Sequence, residues 1–323
     1  LGNTVSVASP VMIELAETLV DTVEIAEWAL FGKNGGDSTQ LAVMISRQET
    51  GKDKVLKING GYHGANGWMQ REGSPGTIDS DSSEVISIPW NNIEEFDSVI
   101  SKFENEIACF ISSPFHHPTS EDNVLPKKGY WEHIQKVCNE KNIIIIVDDV
   151  RTGFRIDLAG SNKAFNFSPD LVCLGKAIAN GYPISALVGK NYLKESANKV
   201  YFSGTQFFNS APMAAAIATI NELKKIDATS LMNHHGNDLK SKMISMAKSY
   251  DIDLKVTGVP SMPYFRIENE DQELHFKWVD NCLSKGIYMT SYHNHFLSAV
   301  HRESEIDLIV NLASKALEEV IEV

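Results

Sequence analysis

Four groups of residues in this 323-residue chain have types and spacings that suit chemistry. Two adjacent acids, Asp148 and Asp149, close the apolar run Ile143-Ile144-Ile145-Ile146-Val147. Lys176 follows a second apolar run, 171–174, with Gly175 between. Asn34-Gly35-Gly36 stands just ahead of a helical pattern, and Tyr62-His63 is framed by glycines in Gly60-Gly61-Tyr62-His63-Gly64. A lysine at the end of a buried strand is costly unless it reaches water, pairs with an acid or is used neutral. Solvent contact is the plain alternative for Lys176. A strand, a glycine turn and a helix start present free backbone N–H groups and a positive helix end to an anion. An ordinary turn capped by Asp37 or Ser38 fits the same residues. A ring flanked by glycines at a strand end can lie flat against a planar ligand, or simply complete a turn.

The elements that must position these groups follow from periodicity. The 143–147 run is too short for a membrane span and too β-branched for a helix. It reads as a strand buried on both faces of a parallel sheet. Ligands of open α/β sheets bind at the carboxyl ends of strands, which is where Asp148, Asp149 and Lys176 fall. Shorter strands are expected at 28–31, 55–58, 107–111 and 171–174, and helices at 10–23, from 41 onward, at 130–140 and at 212–223. From about Lys224, long polar helical stretches alternate with strand-like pieces at 256–260 and 264–267 and end in an amphipathic helix over 305–323. The expected division is a large α/β domain over 1–223 and a smaller α+β domain over 224–323.

In their order, Asp148-Asp149-Val150, Gly153-Phe154-Arg155, Pro169-Asp170 and Gly175-Lys176 resemble the class III aminotransferases. These are fold-type I enzymes that use pyridoxal 5'-phosphate (PLP), and the glutamate-1-semialdehyde aminomutases are a branch of them. The resemblance implies a mostly parallel central sheet flanked by helices. It implies that Lys176 holds PLP as a Schiff base and then acts as general base and acid. Asp148 would lie against the pyridine nitrogen and keep it protonated. Val150, on the same side of the chain as Asp148, would pack on one ring face, with Tyr62 stacked on the other and His63 beside it. Asn34, Gly35 and Gly36 stand in the register of the family's Ser-Gly-Thr phosphate turn, with one hydroxyl fewer. Thr205 matches a threonine that reaches the neighbouring subunit's phosphate, which implies a homodimer with shared sites.

Asp149 points the other way along the strand and is expected to make a structural ion pair, with Arg155 as its partner. Ser113-Pro114 stands where the family commonly has Glu-Pro, so no known substrate preference carries over. The segment 291–298 resembles the stretch that faces the active site from the small domain. For His293 and His295, substrate contact and plain strand polarity both stay open. The start at Leu1-Gly2, without methionine, leads us to expect that the family's N-terminal arm is missing from this sequence. The implied reaction moves an amino group from an amine or amino acid donor to a carbonyl acceptor. The alternatives are an intramolecular aminomutase and a catalytically silent paralogue serving as a binding or scaffold protein.

Composition narrows the remaining classes. Hydrophobic residues make up 43% of the chain, ample for a core. A net charge of -13 argues against a nucleic-acid partner. Neither GxGxxG nor a Walker pattern occurs. The four cysteines, Cys109, Cys138, Cys173 and Cys282, sit singly among apolar neighbours, which suits reduced thiols in the cytoplasm. No apolar run has transmembrane length. His116-His117 face opposite ways and lack a third ligand at metal spacing, so no metal is expected.

Overall fold

The isoleucine run forms the middle strand of a seven-stranded sheet and is buried at every residue. The computed structural model describes residues 7–268 and 272–321. In chain order the strands are β1 (Trp28–Gly32), β2 (Lys54–Ile58), β3 (Val85–Ile88), β4 (Ile107–Ser112), β5 (Ile144–Asp148), β6 (Leu171–Leu174) and β7 (Ser185–Gly189). They lie in the order β1-β7-β6-β5-β4-β2-β3. All pairings are parallel except those of β7, which runs antiparallel to β1 and to β6. The carboxyl ends of β1, β2, β4, β5 and β6 therefore share one edge of the sheet. Central strands covered on both faces need unbroken apolar runs, and β4, β5 and β6 are buried throughout.

Two apolar layers follow from strand alternation. Phe110, Ile145, Val147, Val172 and Leu174 face one way and pack with Leu15 and Leu19 of α1 (Pro10–Thr22) and with Met213 and Ile217 from the helix Ser210–Lys225. Cys109, Ile111, Ile144, Ile146, Leu171 and Cys173 face the other way. They pack on Leu41, Ala42 and Ile45 of α2 (Gly35–Thr50). Asp148 and Val150 continue this second side. α2 therefore lies over the face that carries both.

The chain divides into two compact units. The first runs through His116 and resumes over Pro126–Ile226; the second takes His117–Leu125 and everything from Asp227. The short stretch His117–Leu125, placed by sequence within the large domain, joins the second unit through named contacts. Asp122 pairs with Arg266 and Lys255 at 2.8 Å each, and the Asn123 amide donates to Thr257 Oγ1 at 3.0 Å. That unit holds a hairpin of β8 (Leu254–Val259) and β9 (Met262–Ile267), with helices Ala228–Lys248, Glu273–Ser284 and Glu303–Ile321. The expected last helix extends to Val323, whose position lies outside the described residues. All four cysteines are buried and free. Among the described residues no helix is long and apolar enough to cross a membrane.

Candidate active site

Asp148 emerges at the carboxyl end of β5 and stays 6% exposed. Its Oδ2 lies 2.7 Å from His63 Nδ1, and its Oδ1 accepts the Val150 amide at 3.2 Å. His63 comes from the loop after β2 and is itself 2% exposed. A buried carboxylate needs such donors. The sequence placed His63 near the site without naming its partner, which is 85 positions away. His63 Nε2 is buried and has no hydrogen-bond partner.

Val150 is the point where three chain segments meet. A Cβ on Gly35 would fall 2.6 Å from Val150 Cγ1, and one on Gly175 would fall 3.2 Å from the same atom. Only glycine lets the start of α2 close onto the end of β5 at that distance. Gly175 in turn delivers Lys176, whose backbone is held at φ 45°. A non-glycine residue in the left-handed region is strained, and such strain gathers at functional sites.

The start of α2 is shaped by an acid three residues after its cap. The Asp37 carboxylate accepts the Asn34 and Lys33 amides at 2.7 and 2.9 Å, so the acid ties down the turn. Gly35 and Gly36 occupy the first helical positions, whose N–H groups have no acceptor within the helix. Gly36 lies against Gly64, and Thr39 Oγ1 donates to the His63 carbonyl at 2.6 Å. The turn is a helix start tied down by Asp37, one of the two readings open from the sequence, and it leaves the Gly35 and Gly36 N–H groups without a helical acceptor.

Lys176 is accessible by surface area, yet enough chain surrounds its ammonium to change its proton affinity. Desolvation lowers its pKa, Asp148 pulls the other way, and the guanidiniums of Arg151 and Arg155 add to the fall. Burial also lowers Arg155, to about 10, with Arg151 adding to it. Neither arginine was read as a site residue from sequence, although both sit within the acidic-pair motif. Asp149 faces away as alternation requires. It accepts the Thr152 hydroxyl and the Ser161 amide (3.1 Å), and burial raises its pKa. Arg155 gives Nη1 to the Arg151 carbonyl at 2.5 Å.

Asp148, His63, Val150, Gly35, Gly36 and Lys176 are thus brought together. Tyr62 sits next to His63 and is 67% exposed. Asn34 is exposed at the cap of α2, and Thr205 is exposed in the stretch before the helix Ser210–Lys225. Neither Thr205 nor Tyr62 belongs to the hydrogen-bonded network just described. In the second unit, His295 is an internal support: its amide and Nδ1 meet the Pro263 carbonyl, and Nε2 accepts the Thr290 amide. Burial pushes its pKa down to about 4. His293 Nδ1 lies 2.8 Å from the Asn294 carbonyl.

The sequence model described as Aminotransferase class-III matches residues 5–302. The chain belongs to the class III aminotransferase family. It is 33% identical over 322 residues to an aminopentol aminotransferase of Sphingopyxis macrogoltabida, covering 99% of this chain and 76% of that protein. It is 29% identical to a glutamate-1-semialdehyde 2,1-aminomutase of Methanothermobacter thermautotrophicus, covering 98% of this chain and 80% of the other. The fold superposes on the FumI protein of Sphingopyxis sp. MTA144, described in its PLP internal aldimine form. That match has a TM-score of 0.94 and 32% identity, and covers 99% of this chain and 78% of that one. The fold is therefore that of the type I PLP enzymes, as the acidic pair and lysine implied.

This aminotransferase uses PLP, and its residues suit that group on geometric grounds. A buried carboxylate backed by His63 suits a ring cation, a helix start with two glycine N–H groups lacking helical acceptors suits a phosphate, and an accessible lysine suits an aldehyde. The Gly35–Val150 approach leaves a narrow wall at their junction, one that any larger side chain at Gly35 would fill.

Proposed function

We propose that this member catalyses intermolecular transamination, moving an amino group from an amine donor to a carbonyl acceptor. The observation that carries this reading is Lys176 itself, an accessible amine of lowered proton affinity set beside the buried Asp148–His63 pair. Bound PLP supplies an electron sink for breaking a bond next to the substrate nitrogen. Lys176 would provide the amine that anchors the cofactor and would take and return the proton at the reacting carbon. Asp148 would hold the positive charge on the ring nitrogen, with His63 fixing the carboxylate's orientation. Gly35 and Gly36 offer backbone donors to the phosphate, with Asn34 at the turn's entry. Val150 and Tyr62 would pack on the two ring faces.

The greater identity to the named aminotransferase than to the named aminomutase supports transfer between molecules. By its name the former relative acts on an aminopentol, and an amine of that kind is the first donor to test here. The four buried thiols support a cytoplasmic setting. Thr205, exposed in its segment, supports a homodimer in which it completes the neighbouring subunit's phosphate site.

The test is a visible spectrum of the purified protein with PLP, borohydride reduction and peptide mapping, followed by a donor screen read as pyridoxamine phosphate formation. PLP fixed on Lys176, with donor-dependent pyridoxamine phosphate and a new amine product, is the expected result. Conversion of glutamate-1-semialdehyde without any added acceptor would overturn transfer in favour of the mutase.

A further inference from the structure

We infer that Lys57 is a positioning residue for this site, acting through the turn at Trp68–Gln70. The inference rests on the site roles proposed above. Lys57 is the one charge inside the apolar face of β2, and it is 6% exposed. Its side chain points to the α2 side of the sheet with Val55, two residues earlier. A buried ammonium is costly unless paired, and the partners here are not acids. Nζ donates to the carbonyls of Trp68, Met69 and Gln70 at 3.3, 3.1 and 3.1 Å. An ammonium has three donors, and three carbonyls satisfy it.

Those carbonyls end the short 3₁₀ turn Gly67–Met69. A cation at the carbonyl end of a helical turn is favourable, so Lys57 fixes where the turn sits. From there the contacts run directly to the site. Gln70 Nε2 donates to the Gly64 carbonyl at 3.3 Å, and a Cβ on Gly64 would fall 2.5 Å from Met69 Sδ. Gly64 lies against Gly36, and its neighbour His63 holds Asp148. Trp68 Nε1 and Asn66 Nδ2 both donate to Gln40 Oε1 of α2, at 2.5 and 2.9 Å. One lysine thus braces the loop that touches both the anion end of α2 and the buried carboxylate.

The molecule supplies its own control. Lys52 makes the same kind of contact, donating to the carbonyls of Glu104, Lys141 and Asn142 at 3.0, 2.9 and 3.2 Å. It does so at the opposite edge of the sheet, ahead of β2. Desolvation lowers both lysines.

The experiment compares Lys57→Met, Lys57→Arg and Lys52→Met in the PLP-loaded enzyme. It reads the PLP dissociation constant and amide hydrogen exchange over residues 63–70. The expected result is PLP binding weakened about tenfold in Lys57→Met, faster exchange over 63–70, and substantial recovery of both in Lys57→Arg. Lys52→Met should keep wild-type values on both measures whatever it loses in melting temperature. If Lys57→Met does not fold, Lys57→Gln, which keeps two donors, is read by the same two measures. Equal PLP affinity and equal exchange in the Lys57 and Lys52 variants would overturn the inference. Failure to trap PLP on Lys176 in the wild type would instead overturn the function it rests on.

Discussion

His63 Nδ1 stands 2.7 Å from Asp148 Oδ2, with both side chains buried, so the imidazole and this one carboxylate oxygen are each other's polar partner. His63→Leu leaves a buried carboxylate short of one donor. The expected loss of stability is about 1.5–3 kcal/mol, measured by urea unfolding of the cofactor-free protein. PLP affinity should fall with it. Asp148→Asn keeps the shape and removes the charge, so PLP should still bind while turnover drops about 10²-fold or more. Unchanged turnover in that variant would show that Asp148 does not hold the ring charge.

The approach of Gly35 to Val150 makes a second, separable prediction. Gly35→Ala places a methyl 2.6 Å from Val150 Cγ1, and overpacking of this kind costs about 1–3 kcal/mol. Val150→Ala removes the clashing methyls. The double variant should therefore recover most of the melting temperature lost in Gly35→Ala, whereas PLP affinity should stay low because the ring loses its wall. Additive losses in the double variant would mean that the two residues do not touch.

How much of this was readable from sequence depended on range. The isoleucine run, the acidic pair and Lys176 were legible because each signal is local: β-branched content, alternation, and charge at a strand end. Alternation also placed Asp148 and Val150 on one side and Asp149 on the other, as the structure has them. The antiparallel direction of β7 was not legible, since a five-residue apolar strand carries no sign of its polarity. The bond between His63 and Asp148, the three carbonyls on Lys57 and the passage of His117–Leu125 into the second unit were also hidden. Each joins distant parts of the chain or uses backbone oxygens that every residue possesses. Lys57 did leave a trace, as a lone charge among Val55, Leu56 and Ile58.

Lys176 stores strain in its backbone, with φ at 45°. Glycine tolerates this region freely and alanine does not. Lys176→Gly should therefore be more stable than Lys176→Ala by about 1–2 kcal/mol without cofactor, read from paired denaturant melts. Both variants lose the borohydride-fixed cofactor. Equal stability would mean that the turn relaxes without cost when the lysine is gone.

The last prediction concerns pH and has a definite sign. The reactive form of Lys176 is the neutral amine, and desolvation holds its pKa below the ordinary 10.5. The rate of PLP capture by the cofactor-free enzyme, quenched with borohydride, should rise with pH and level off below 10.5. Arg151 is one of the causes lowering that pKa, so Arg151→Met should move the plateau to higher pH. Asp148 raises it, so Asp148→Asn should move the plateau lower, whatever happens to the final yield. The same shift acts on stability. Between the folded value and 10.5, unfolded Lys176 binds more protons than folded Lys176. Its burden on folding is therefore full below the folded pKa and eases as pH rises through that window. Opposite displacements in the two variants are the signature of an amine lying between a carboxylate and a guanidinium; displacements of the same sign would place Lys176 outside the field of one of them.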